Sequence, residues 1–236
     1  LETDFKLTDG VPHAQRFKAL TIRKTDELVA YGLAGEKAPS LETSRAQHVE
    51  ADEYHKMMAE PNTVIIDVRN AYESAIGHFA PPPGGAELVD PRMRNSHEFP
   101  KWLNAPETKE QLHGKKILMY CTGGIRCERA TALLDEMVKA DPTFRISDIT
   151  MVRGGVERYM RTFPAGGFWK GKNYLFDRRR EQVPEAKTEA ALAADVESYC
   201  CVCGAPESTC TAGLVRNMCS IPAYARGCCQ ARNVII

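Results

Sequence analysis

Lys116-Ile117-Leu118-Met119-Tyr120-Cys121-Thr122-Gly123-Gly124-Ile125-Arg126-Cys127 is the stretch whose reading decides the fold. Four apolar or aromatic residues run into a cysteine, and two glycines permit a sharp turn. Ile125, Ala130, Leu133, Leu134, Met137 and Val138 then recur at helical spacing. The pattern predicts strand, tight loop and helix, with Cys121 at the C-terminal end of the strand. In such a loop the amides of Thr122, Gly123, Gly124, Ile125 and Arg126 can point inward, toward a centre that the new helix also faces. An anion there meets unpaired N–H donors and the positive end of the helix dipole. A thiolate is such an anion. Cys121 is therefore the candidate nucleophile, with Arg126 nearby to lower its pKa and stabilise charge on its sulfur.

Outward from this loop, Thr63-Val64-Ile65-Ile66-Asp67-Val68-Arg69 reads as a buried strand, preceded by a helix from Ala51 to Ala59. Helices from Ala71 and near Phe99 to Leu103 follow, then a strand over Asp148 to Val152 and a helix from Val156. Strands and helices in alternation predict an α/β fold with a parallel sheet flanked by helices. Asp67 and Arg69, at a strand end, can pair and give structural support to the neighbouring loop. Gly154 and Gly155 are expected to serve a tight turn beside the Cys121 loop. Pro81, Pro82 and Pro83 remove three amide donors, so a strand after them should be displaced or shortened. Arg92, Arg94 and His97 are read as a solvated loop, with an anionic substrate as the other use of their charge.

The 236 residues are 43% hydrophobic and 26% charged with formal net charge zero, which suits one or two globular domains and leaves nucleic-acid binding to local clusters. The basic runs lie over Arg16 to Lys24 and Lys170 to Arg180. No apolar run approaches the roughly 20 residues that span a bilayer, so no membrane partner is expected. The chain begins Leu1-Glu2 without an initiator methionine. It reads as a fragment of a cytoplasmic protein, with an upstream targeting segment left open. Of nine cysteines, seven fall between Cys200 and Cys229, a placement that favours metal or catalysis over a disulfide framework. Cys200-x-x-Cys203 before Gly204 is the spacing of a zinc knuckle.

The run Cys121-Thr122-Gly123-Gly124-Ile125-Arg126-Cys127-Glu128 resembles the active-site loop of the rhodanese family and, within it, of the rhodanese-like tRNA uridine hydroxylases. Asp67-Val68-Arg69, Glu73 and Gly77-His78 sit where that family keeps matching elements. The resemblance implies a rhodanese-like parallel sheet flanked by helices, an N-terminal remnant of a ferredoxin-like domain and a Cys-rich C-terminal tail. The expected units are residues 1–46, a remnant plus linker; 47–165, the catalytic domain; and 166–236, a basic and aromatic segment with the tail. Two short strands are expected between Phe5 and Leu33, with Phe17, Leu20, Ile22, Leu28 and Val29 as buried positions. Phe168, Trp169 and Tyr174, set among Lys170, Lys172 and Arg178 to Arg180, can either stack bases or pack a core. In the tail, the second C-x-x-C of the resembled branch is absent. Cys210 and Cys219 are then the nearest residues to complete a structural zinc site with Cys200 and Cys203, and disulfides or free thiols are the other reading. No organic cofactor is evident.

Three function classes compete. A rhodanese-type enzyme would form a persulfide on Cys121 from a donor such as thiosulfate, serving tRNA uridine modification or, alternatively, general small-molecule sulfur transfer. A cysteine phosphatase needs a loop one residue longer, because Arg126 lies five positions after Cys121. A noncatalytic interaction module should lack the nucleophile. The favoured expectation is the tRNA-modifying enzyme, with tRNA as partner and no DNA. Cys127 is read as packing or bonding locally, with a resolving thiol as the other role.

Overall fold

The computed structural model describes residues 11–176 and 182–195. The chain order is β1 (Gln47–Val49), α1 (Ala51–Met57), β2 (Thr63–Asp67), α2 (Ala71–Ser74), β3 (Gly77–Phe79), β4 (Glu87–Val89), α3 (Glu98–Asn104) and α4 (Pro106–Leu112). It continues with β5 (Lys116–Tyr120), α5 (Ile125–Ala140), β6 (Asp148–Val152), α6 (Gly155–Thr162), β7 (Trp169–Gly171) and α7 (Glu189–Asp195). Five strands form one sheet in the order β1-β6-β5-β2-β4, and every pairing within it is parallel.

The central strands are buried along almost their whole length because helices cover both faces, and their apolar side chains alternate between two cores. Val64, Ile66, Ile117, Met119, Ile149 and Met151 point to the face of Phe99, Leu103, Leu112, Ala130 and Leu134. Ile65, Leu118, Tyr120 and Val152 point to the opposite face, against Tyr54, Met58, Val156 and Tyr159. Since all five strands run the same way, Asp67, Cys121 and Arg153 emerge together at the C-terminal edge, where parallel α/β sheets place their ligands.

After Gly77-His78 the chain leaves this sheet. β3 pairs antiparallel with β7, and beyond the prolines β4 keeps only three residues at the edge beside β2. The expected shortening is observed.

Two expectations are corrected. No strand forms among the described residues 11–33, and Phe17, Leu20, Ile22 and Leu28 are exposed. No adjacent strand takes up their backbone groups, so alternation without a ladder produces no sheet. Val29 is buried as expected, together with Tyr31. Arg129 of α5 secures this segment by donating to the Val29 and Leu33 carbonyls at 2.8 and 3.2 Å and to Glu27 at 3.0 Å. The second correction is Ile125, which is 53% exposed, whereas Ala130, Leu133 and Leu134 of the same stripe are buried. It occupies the first position of α5, one turn short of the part of the helix that rests on the sheet.

Candidate active site

Cys121 sits one residue beyond β5, only 1% exposed. The loop that follows stays open because its carbonyls are engaged elsewhere. Val156 and Glu157, at the start of α6, donate their amides to the Cys121 and Thr122 carbonyls, both at 3.0 Å. Gly155 makes this contact possible: a Cβ there would lie 2.5 Å from the Cys121 carbonyl oxygen and 2.6 Å from that of Thr122. With these carbonyls engaged by α6, Gly124 N–H donates to the Cys121 sulfur at 3.1 Å. Gly124 adopts φ +97° as the N-cap of α5, a left-handed conformation that L side chains rarely enter.

These contacts decide the ionisation of Cys121. Burial pushes its pKa up. The Cys127 thiol, the Arg126 charge and the backbone amides of Cys127 and Gly124 act against burial and bring the pKa down to about 5. At neutral pH Cys121 is a thiolate. Cys127 responds in the opposite sense. It is fully buried, and burial together with its donation to the neighbouring sulfur holds its pKa well above the usual thiol value. One thiol is charged and the other neutral, six residues apart in sequence.

Arg126 gives its terminal nitrogens to Glu73 and the Thr122 side chain. Nη1 and Nη2 donate to the two carboxylate oxygens of Glu73 at 2.6 and 2.8 Å, and Nη2 also donates to Thr122 Oγ1 at 3.1 Å. Arg126 thus acts on Cys121 through its field. Thr122 in turn donates its hydroxyl to Glu73 at 3.2 Å. Glu73 stands among the elements the resemblance singles out, but its role as the acceptor that holds Arg126 is what sequence reasoning missed. It is fully buried and, besides Arg126 and Thr122, accepts from the Asn70 amide at 3.0 Å. A signal was present: Asn70-x-x-Glu73 is the spacing of a capping box, which places a carboxylate at the third helical position facing back along the chain.

Asp67 and Arg69 form a second buried layer behind the first. Arg69 Nε and Nη2 donate to the two Asp67 oxygens at 2.9 and 2.6 Å, and Nη2 also reaches the Gly77 carbonyl at 2.6 Å. Tyr120, the residue before Cys121, donates its hydroxyl to Asp67 at 2.6 Å. The Arg69 guanidinium lies 5.2 Å from the Tyr120 ring centre and 5.1 Å from that of Trp169. The ends of β2, β5 and β3 are therefore tied by one ion pair.

Among the aromatic candidates for base stacking, core packing prevails. Trp169 and Tyr174 are buried, and Phe168 stacks on His55 with ring centres 4.0 Å apart. Phe176, two residues beyond Tyr174, is 66% exposed, and its ring lies 5.2 Å from the Arg126 guanidinium. Arg92, Arg94 and His97 are exposed. Arg178, Arg179 and Arg180 lie outside the described residues, as do Cys200, Cys203, Cys210 and Cys219. Among the described residues no cluster of His, Cys, Asp and Glu is placed to hold a metal ion, and no helix is long and apolar enough to cross a membrane.

A family model described as "Rhodanese-like domain" matches residues 50–162. Rhodanese-like domain-containing protein 6 of Arabidopsis thaliana is 36% identical over 192 residues, covering 75% of this chain and 31% of that protein. A tRNA uridine(34) hydroxylase of Bacillus licheniformis is 35% identical over 176 residues, covering 74% of this chain and 49% of that protein. A tRNA uridine(34) hydroxylase of Synechococcus sp. is 34% identical over 200 residues, covering 84% of this chain and 54% of that protein. The chain thus spans about half the length, or less, of these curated relatives.

Proposed function

This chain belongs to the rhodanese-like family, close to the tRNA uridine hydroxylases, and from that premise we propose that it uses Cys121 as a persulfide-forming nucleophile in modification of tRNA uridine at position 34. The observation that carries the reading is the sulfur's setting: a thiol brought down to about 5 inside a loop whose Gly124 amide faces it at 3.1 Å. The loop runs six residues from Cys121 to Arg126, one fewer than a cysteine phosphatase needs, which disfavours phosphatase chemistry.

With thiosulfate as donor, the Cys121 thiolate attacks the outer sulfur. The donor's S–S bond breaks, sulfite leaves with the electron pair, and Cys121 holds a persulfide whose negative terminal sulfur takes the place of the thiolate among the loop amides. Arg126, fixed by Glu73, contributes positive field without competing for the sulfur. The Cys-rich tail belongs to the same proposal, with Cys200, Cys203, Cys210 and Cys219 holding one structural zinc, to be counted by elemental analysis of the purified protein.

The test is mass analysis of nucleosides from tRNA of cells lacking the protein. Loss of 5-hydroxyuridine, restored by the wild-type gene and not by Cys121→Ser, is the expected result. Unchanged 5-hydroxyuridine in the deletion, with thiosulfate turnover by the purified protein, would instead favour small-molecule sulfur transfer. The near-complete burial of Cys121 is compatible with that second reading, since a small donor enters the loop most easily.

A further inference from the structure

Phe176 occupies a place that the persulfide chemistry does not use. An exposed phenyl ring is ordinary in itself; its seat is what distinguishes this one. Its ring lies over the guanidinium of Arg126 and meets Tyr174 edge to face with ring centres 5.9 Å apart, and Tyr174 packs in the same way on Tyr72 of α2 at 5.3 Å between centres. Arg126 cannot drift, because Glu73 grips both of its terminal nitrogens. The ring is therefore carried by a fixed support in the first turn of the helix that follows the Cys121 loop. Two-thirds of it remains open to solvent, and on the same loop the exposed Ile125 adds a second apolar surface.

We infer that Phe176 is the platform on which the target uracil stacks when it is turned out of the RNA strand and presented to the Cys121 loop. The inference rests on the tRNA reading above. Cys121 is only 1% exposed, so a base has to be held beside its loop, and Phe176 is an exposed ring seated on a residue of that loop. Single-stranded RNA is recognised by stacking unstacked bases on aromatic rings, and a pyrimidine offers a flat π-face with few other handles. Trp169 and Tyr174 are committed to the core, and Phe168 is stacked on His55. Arg126 behind the ring keeps its far face polarised and its outer face free.

The experiment measures binding of an anticodon stem-loop RNA to the protein as encoded in full, at one fixed salt concentration, with position 34 carrying uracil or lacking a base. Phe176→Ala is expected to weaken binding of the uracil RNA roughly tenfold, within the range of about five- to 150-fold for a lost base–aromatic stack. Phe176→Trp should restore it. Phe176→Leu, which keeps an apolar cover on Arg126 without a ring, should behave as the alanine variant. Wild-type protein should lose a similar factor on the abasic RNA, and Phe176→Ala should lose nothing further there. Equal losses for both RNAs in Phe176→Ala, or no loss at all, would overturn the platform. Wild-type protein that modifies position 34 while Phe176→Ala binds normally would sink this inference and leave the tRNA reading intact. Wild-type protein that binds neither RNA at low salt would remove both.

Discussion

Two strand-to-helix turns in this molecule look alike in sequence and do opposite things. β5 ends in Tyr120-Cys121-Thr122-Gly123-Gly124-Ile125, and β6 ends in Val152-Arg153-Gly154-Gly155-Val156. Both pass through a left-handed glycine N-cap, Gly124 at φ +97° and Gly154 at φ +72°. At α6 the amides of Val156 and Glu157 are given to the Cys121 and Thr122 carbonyls, so these two donors are not open to an anion. At α5 the amides remain for the Cys121 sulfur because those carbonyls have been removed from competition. Helix N-termini are ready anion sites; which of two becomes one depends on what already occupies their donors.

The largest expected effect is on chemistry. Cys121→Ser should leave no sulfur on the protein after incubation with thiosulfate, read by intact mass, because serine is a poorer nucleophile and cannot form the S–S bond. Sulfur incorporation in that variant would detach the β5 turn from the reaction and erase its difference from the β6 turn. Next comes the support. Glu73→Gln leaves the buried Arg126 charge without its carboxylate and should cost about 3 kcal/mol in urea unfolding. A loss no greater than that of a surface ion pair would show that Arg126 is held by something other than Glu73.

Gly155→Ala sharpens the comparison most directly. Its Cβ would meet the Cys121 and Thr122 carbonyls at 2.5 and 2.6 Å, and a loss of about 3 kcal/mol is expected. Gly124→Ala places its Cβ 3.5 Å from the nearest atom, ordinary contact, so only the left-handed conformation is penalised, at about 1–2 kcal/mol. Equal losses would mean that the two turns are not asymmetric in the way described.

Cys127→Ala tests the ionisation. The pKa of Cys121 stands at about 5, so thiolate reactivity should rise as pH increases through that value and level off above it. Removing the Cys127 thiol takes away a donor to the thiolate, which destabilises the charged form. The midpoint of alkylation should move up by about one pH unit. An unmoved midpoint would assign the depression to Arg126 and the backbone amides. The smallest effect belongs to Ile125→Ala, within about 0.5 kcal/mol, because the side chain is mostly in water.

What the sequence by itself determined was set by local rules. Apolar runs ending in Cys121 and Asp67 marked β5 and β2, the glycine pairs marked the turns, and the order of elements implied a parallel sheet that gathers strand ends at one edge. The burial of the Asp67–Arg69 pair was not local, although the pairing was, since the two residues are neighbours in sequence. Tertiary structure decided the rest. Glu73 reaches Arg126 across 53 positions, Val156 takes the Cys121 carbonyl, and Arg129 secures Val29 from 100 positions away. Periodicity carries no information about such distant partners. The same limit explains the misplaced positions: Phe17 and Ile22 alternate like a strand, and Ile125 shares the stripe of α5; it also explains why Trp169 and Tyr174, set among basic residues, stayed open between stacking and core until the packing decided for the core. A side chain's hydrophobicity states that burial would be favourable. Only the packed chain provides, or withholds, the surface against which to bury it.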